Sequence, residues 1–146
     1  MKDNTYAVKL YNLTYRLTGN GKDAEELSLM AVDEMLSQGM SINREDFLLI
    51  FAREVARLVQ DRCKQENLQC PADLDRTPHL QLTLNSLPVK ERMAVVLRDI
   101  CGFSCAEMAF IMGENNQEAY KHLSMGRLKL CKTLKEKRLK SILVKL

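Results

Sequence analysis

The sequence predicts an all-α protein made of two small helical domains joined by a linker. Apolar residues recur at helical spacing in several segments. The 146 residues include only 6 Gly and 3 Pro, fewer turn formers than a sheet-rich chain needs. A segment that contains Pro71 and Pro78 lacks this periodicity and separates the two halves. We therefore expect a helical domain over residues 1–66, a linker over 67–79 and a second helical domain over 80–146.

Composition narrows the class of protein. A hydrophobic content of 46% with 28% charged residues predicts a folded chain. There is no apolar run long enough to span a membrane and no apolar core of a signal peptide, so we expect a cytoplasmic protein. The five cysteines form no CxxC pair and are expected to be reduced, idle thiols. No catalytic constellation is evident, and His79 and His122 each stand alone, so we expect no enzyme, no cofactor and no metal site.

Charge is distributed unevenly along the chain. Residues 1–66 hold 9 Lys/Arg and 11 Asp/Glu, whereas residues 67–146 hold 13 and 8. From Lys121 onward there are 9 basic residues and one acid, Glu136. A basic C-terminal end indicates either a polyanionic partner, most often nucleic acid, or a solvated helix face.

The first half predicts three helices. The first covers about residues 6–17 and ends in a glycine-containing turn. The second runs from about residue 22 to 38, with Asp23, Glu25 and Glu26 in its first turn, where the helix dipole favours acids.

The third helix of this half is predicted to begin at an Asn43 N-cap, with Asp46 at its third position. One of its stripes is apolar and belongs to the core. A second, polar stripe is either a solvated face or a nucleic-acid face, and it contains Arg53, Arg57, Gln60 and Lys64.

The second half predicts a compact series of helices and turns. Pro88 suits the first turn of a helix that ends at Gly102. The sequence from Ser104 to Glu107 has the spacing of a capping box, which starts a short helix. Gly113 makes the next turn.

A final helix begins near Asn116. Its inward side is predicted to carry Ala119, Leu123, Gly126, Leu130 and Leu134. Its outer side offers amide, hydroxyl and cationic donors, the types that contact base edges and phosphates. These residues are Gln117, Tyr120, Lys121, Ser124 and Arg127. The order of elements describes a helix-turn-helix, although a helical hairpin that packs on protein remains open.

The second half resembles the C-terminal promoter-reading domain of extracytoplasmic-function (ECF) sigma factors. The resemblance lies in the stretch LNSLPVKERMAVVLRDICGFSCAEMAFIMGENNQEAYKHLSMGRLKL. The positions that match the family pattern are Leu87, Pro88, Arg92, Gly102, Ser104, Glu107, Met108, Ala109, Gly113, Arg127 and Leu128.

The first half is also similar to that family. LTGNGKDAEELSLMAVDEML resembles its polymerase-binding helix, and FLLIFAREVARLVQDRCK resembles the next helix, which faces the downstream promoter element. The resemblance implies a polymerase contact through Asp23, Glu25, Glu26 and Leu27. It also implies that the polar stripe of the third helix faces DNA.

The sequence departs from the family pattern at several positions. Leu29 stands where the family usually has Gln, Glu54 replaces an Asn and Leu58 an Asp. Glu118 stands where the recognition helix usually has Thr, which caps the helix and touches phosphate.

The resemblance implies a sigma factor that binds core RNA polymerase, directs transcription from specific promoters and is held by an anti-sigma factor. Two alternatives remain open. One is a degenerate sigma mimic that binds a regulator instead of promoter DNA, and the other is a helix-turn-helix repressor.

Overall fold

The computed structural model describes residues 2–65 and 79–145, and side chains within 7–64 and 79–136. The predicted all-α class is confirmed, since every regular element in these residues is helical. The predicted linker lies outside the described residues, apart from His79. In chain order the helices are α1 (Lys2–Thr18), α2 (Gly21–Ser37), α3 (Phe47–Gln65), α4 (His79–Asn85), α5 (Val89–Val95), α6 (Cys105–Met112) and α7 (Asn116–Lys145). A π-helical turn, Val96–Ile100, continues α5.

The turn between α1 and α2 forms where the sequence predicts it. Gly19 has a φ of +76°, a conformation that glycine adopts without strain. The Asn20 side chain accepts hydrogen bonds from the backbone N–H groups of Lys22 (2.8 Å) and Asp23 (3.4 Å). Asn20 therefore caps α2, and the two helices pack antiparallel to each other.

The start of α3 differs from the prediction. The helix begins at Phe47 and not after Asn43. Residues 41–47 instead form tight turns, in which the Arg44 N–H donates to the Ser41 carbonyl and the Phe47 N–H to the Arg44 carbonyl. Phe47 is fully buried. The helix thus begins at the first residue after these turns whose side chain is buried in the core.

The helix-turn-helix of the second half forms as predicted. Ser104 accepts from the Glu107 N–H (3.1 Å), and the Glu107 carboxylate accepts from the Ser104 N–H (2.9 Å), which completes the capping box. Gly113 ends α6 with a φ of +69°.

Gly126 sets how closely α7 approaches α5. A Cβ at this position would lie 2.8 Å from a Val95 methyl carbon and 2.9 Å from the Glu91 carbonyl oxygen. Ala119 and Leu123 are fully buried on the same side of α7. The prediction fails about two turns after Gly126, because Leu134 is 42% exposed.

The two halves pack against each other around one continuous core. We use the term interdomain seam for the contact of α1 and α3 with α4, α5, the π-helical turn and α6. Buried Arg92 donates to the Leu17 carbonyl (3.0 Å), and fully buried Gln81 donates to the Arg16 carbonyl (3.3 Å). The sequence predicts two helical domains that are joined by a flexible linker. In the structure, long-range side-chain hydrogen bonds also hold them together.

Buried Arg92 acts as a cap for α1. The last carbonyls of a helix have no partner within the helix, and the Arg92 guanidinium supplies one to Leu17. It also donates to the carbonyls of Asn85 (3.4 Å) and Leu87 (3.5 Å). Burial lowers the pKa of Arg92 below its usual range. The C-terminal end of α1 is thus capped by a cationic side chain from the second half of the chain.

Within residues 2–65 and 79–145, no helix combines the length and the apolar composition that a membrane crossing requires.

Candidate nucleic-acid and partner interfaces

The outer face of α7 is open to solvent near its N-terminus. Gln117, Lys121 and Ser124 are exposed, and Tyr120 is 54% exposed. Leu128 continues this face one turn later and is 66% exposed. The opposite side of α7 packs on α5 and α6. The structure therefore brings four of the five predicted groups to one accessible surface, supported from behind by the core.

Arg127, the fifth predicted group, is engaged on the flank of this face. Its guanidinium donates to both carboxylate oxygens of Asp99, with N···O distances of 2.9 and 2.6 Å. This hydrogen-bonded pair holds the pKa of Asp99 below its usual range and raises that of Arg127. An Arg that already holds a carboxylate bidentately must exchange it to contact a phosphate.

Two features of the α7 N-terminus limit its attraction for anions. The Asn115 side chain caps the helix by accepting from the Glu118 N–H (2.8 Å). The exposed Glu118 carboxylate adds a negative charge in the first turn. Free N–H groups at a helix N-terminus favour a phosphate, and a carboxylate there opposes it.

A cluster that sequence reasoning missed lies beside this helix end. Glu114, Glu118 and His122 each have a side-chain atom that can bind a metal ion, and these three atoms lie within 4.8 Å of one another. Glu114 is held by Lys90 (3.1 Å) and lies 3.5 Å from His122 Nε2. The turn after Gly113 folds Glu114 back toward α7, a contact that spacing along the chain does not reveal.

The polar stripe of α3 faces the helix-turn-helix. The Arg53 guanidinium carbon lies 4.4 Å from the centroid of the Phe110 ring on α6, a cation–π contact. Arg57 pairs with Glu54 and with Asp61 (3.3 Å), and the hydrogen bond with Glu54 raises the pKa of Arg57. The exposed side chain of Lys64 lies at the same surface.

A groove of about 270 Å³ separates this stripe from α6. Its α6 side is formed by Ile111, Met112 and Gly113. The predicted DNA-facing side of α3 therefore borders this groove, and Arg53, Arg57 and Lys64 are still exposed to solvent.

The acidic start of α2 is partly used inside the first half. Arg62 on α3 pairs with Asp23 (3.2 Å) and Glu26 (3.0 Å). Glu25 is exposed. Leu27 is only 1% exposed, so its side chain lies in the core and positions the helix without reaching a partner. This corrects its sequence-based assignment to a contact surface, because the apolar side of α2 faces inward at that residue.

The solvent side of α2 carries apolar residues that the sequence did not single out for binding. Leu29 is 60% exposed, Met30 44% and Leu36 50%. Leu29 and Leu36 are seven residues apart and share the face opposite the buried side. Their helical spacing, which places Leu29 and Leu36 away from the buried stripe, is the signal that could have identified them.

Comparisons with known proteins agree with this architecture. Residues 79–130 match the family model described as sigma-70, region 4. The match includes α6 and the first half of α7, which form the helix-turn-helix.

The likeness extends over most of the chain. The chain is 30% identical to the ECF RNA polymerase sigma factor SigE of Mycolicibacterium smegmatis. The aligned region covers 86% of this chain and 57% of that relative. The chain thus spans a little over half the length of that curated relative. The predicted resemblance to ECF sigma factors is confirmed.

A solved structure shows the same fold. The structure of the sigma factor RpoE in complex with the anti-sigma factor NepR, from Bartonella quintana, matches with a TM-score of 0.66 at 21% identity. The match covers 92% of this chain and 96% of that one.

Proposed function

We propose that this protein is an ECF-type sigma factor that binds core RNA polymerase and directs transcription initiation at specific promoters. The observation that carries the proposal is the exposed outer face of α7 in a region 4 domain. Its amide, hydroxyl and ammonium groups suit base edges and phosphates in a major groove. The role is non-enzymatic, and a factor that acts with polymerase on DNA works in the cytoplasm.

The polymerase surface that we propose is the solvent side of α2. Glu25 and Glu26 supply charge, and Leu29 and Leu36 supply exposed apolar area. Exposed apolar side chains that recur along one face mark interaction surfaces. Leu29 replaces the usual Gln of the family with an apolar anchor, and interfaces depend on a few such anchors.

Promoter contact is proposed to use two surfaces at different stages. Gln117, Tyr120, Lys121 and Ser124 are accessible in the free protein, whereas Arg127 must first release Asp99. Arg53, Arg57 and Lys64 are exposed beside the α3 groove, and separation of α3 from α6 would release Arg53 from Phe110 and open the groove to DNA. Binding to core polymerase would drive that separation.

A second candidate function is favoured by the seam. Because the α3 stripe faces α6 and Glu118 stands at the α7 N-terminus, the closed chain suits a protein partner better than DNA. The related RpoE was solved with an anti-sigma factor. We propose a regulator of this kind as a partner in either case, and as the main partner if the chain is a sigma mimic.

Capture and transcription distinguish the two functions. The full-length protein is tested for capture of core polymerase and for run-off transcription from the promoter region beside its own gene. A sigma factor gives both. Leu29→Ala with Glu25→Lys should weaken capture by about tenfold, whereas Leu27→Ala acts through stability. Capture without specific transcripts would favour the mimic, and absence of capture at micromolar concentration would contradict the polymerase-binding function.

A further inference from the structure

A cavity of about 520 Å³ lies at the interdomain seam and shares no lining residue with the α3 groove. One wall is the face of α1 that carries Lys9, Asn12 and Arg16. The other wall belongs to the second half and contains Ile100, Cys101 and Phe103. The volume falls in the range of pockets that bind small molecules. The cavity exists only while the two halves are packed together.

The two walls differ in chemistry. The α1 wall supplies two cationic side chains seven residues apart, which a helix places on one side about 10 Å apart. The opposite wall is apolar, and Leu48 from α3 extends it. All the residues that line the cavity are neutral or basic. The site thus offers a positive end and an apolar end within one space.

Arg16 is held in place from behind. Its guanidinium donates to the Gln81 side-chain oxygen (3.4 Å), and the Gln81 amide donates to the Arg16 carbonyl (3.3 Å) and to the Asn85 side chain (2.9 Å). Gln81 is fully buried. The buried Gln81 amide, whose hydrogen bonds are satisfied, restrains the Arg16 side chain. Arg16 therefore loses less conformational entropy when a ligand binds.

The π-helical turn shapes the apolar wall. The Cys101 N–H donates to the Val96 carbonyl (2.8 Å), five residues earlier, and the Phe103 N–H to the Leu97 carbonyl (3.0 Å). This wider turn places Ile100 and Cys101 at the cavity. Single π-helical turns are uncommon and occur frequently at functional sites. Gly102, with a φ of +80°, allows the chain to reverse directly afterwards.

We infer that this cavity binds a small organic anion with an apolar body, such as an aromatic or short-chain carboxylate, sulfonate or phosphate monoester. The anionic group contacts Lys9 and Arg16, and the apolar body lies against Ile100 and Phe103. Since both halves contribute, a bound ligand stabilises the closed arrangement. The site extends beyond the proposed function, and its binding test requires neither polymerase nor DNA.

The test uses naphthalene-1-sulfonate as the probe and the full-length protein. The chain contains no Trp, so the naphthalene fluorescence can be followed directly. We expect saturable binding of one probe per chain with a dissociation constant below about 1 mM. The uncharged analogue 1-naphthalenemethanol should bind at least about fivefold more weakly, because it lacks the charge-assisted contacts.

Variants locate the site. Lys9→Gln and Arg16→Gln should each weaken binding at least about fivefold, and Lys22→Gln, an exposed cation on α2, should not. Cys101→Trp fills the cavity and should abolish binding. If Arg16→Gln does not fold, the Lys9→Gln and Cys101→Trp variants still decide the result.

A thiol measurement checks the location independently. Burial raises the pKa of the Cys101 thiol to about 11. Cys101 should therefore react slowly with iodoacetamide at pH 8, and saturating probe should slow it further, as mapped by mass spectrometry. The exposed Cys131 is the internal control. Absence of saturable binding, or wild-type affinity in both Lys9→Gln and Cys101→Trp, would overturn the inference.

Discussion

The outer face of α7 and the polar stripe of α3 are both predicted to contact DNA, yet the structure holds them in different states. The α7 face is accessible because α7 packs on α5 through its opposite side. The α3 stripe is opposed by α6, with Arg53 over Phe110 and Arg57 paired to acids of its own helix. A residue pattern defines the face of a helix, whereas tertiary packing decides which element lies opposite that face and which contacts its side chains already make.

The largest expected effect comes from removing the close approach that supports the α7 face. Gly126→Val should destabilise the protein by about 3 kcal/mol, because the new side chain meets the Glu91 backbone and Val95. The unfolding free energy in urea measures it. Ser124→Val, exposed on the same helix, should change the free energy of unfolding by less than about 0.5 kcal/mol, because serine and valine have similar helix propensities. Equal effects at both positions would mean that α7 does not pack closely on α5.

Breaking the seam should cost less. Arg92→Met removes three hydrogen bonds from a charged donor to carbonyls, and the new side chain keeps much of the volume. We expect the free energy of unfolding to fall by about 2 kcal/mol, because the cost of desolvating the Arg92 guanidinium offsets part of the stabilisation from those hydrogen bonds. Faster proteolysis between the halves should accompany it. Lys132→Met, an exposed cation on α7, serves as the control, and an equal loss there would argue against the capping of α1.

The fold was largely predictable from the sequence, because its signals are local. The capping box of Ser104 and Glu107, the turn at Gly113 and the inward position of Gly126 all follow from spacing. Leu134 was misplaced because periodicity continues beyond the point where another element covers the helix.

The state of the binding surfaces was not predictable to the same degree. Arg127 binds Asp99 and Arg92 binds the Leu17 carbonyl, which lie 28 and 75 residues away, and Arg53 contacts Phe110 on another helix. No spacing rule connects such residues. The assignment of Leu27 to a contact surface rested on family resemblance. In the structure Leu27 is buried, and Leu29, on a different face of α2, is exposed.

Glu118→Thr tests whether the accessible outer face of α7 binds DNA. Removing a carboxylate from the first turn of α7 should raise promoter affinity by about 1 kcal/mol, because phosphate then meets the helix end without repulsion. Lys121→Ala should lower affinity and reduce the salt slope by about 0.9. Binding isotherms at three salt concentrations measure both changes. Unchanged affinity in both variants would mean that α7 does not enter a DNA groove.

Phe110→Ala tests the contact between α3 and α6 and has the smallest expected effect. The exposed cation–π contact with Arg53 should be worth about 0.5–1 kcal/mol. A double-mutant cycle with Arg53→Gln isolates that coupling from other consequences of each substitution. A coupling energy of zero would remove Arg53 from the contacts that close α3 against α6.

Hydrogen exchange of the full-length protein, alone and bound to core polymerase, tests the central claim most directly. In the free protein, backbone amides of α3 and α6 should be protected together, and Arg92→Met should weaken both. On binding polymerase, α6 should lose its protection from the seam, while α2 gains protection around Leu29. Unchanged exchange in α3 and α6 upon polymerase binding would contradict the account, since the α3 stripe would then stay closed in the complex.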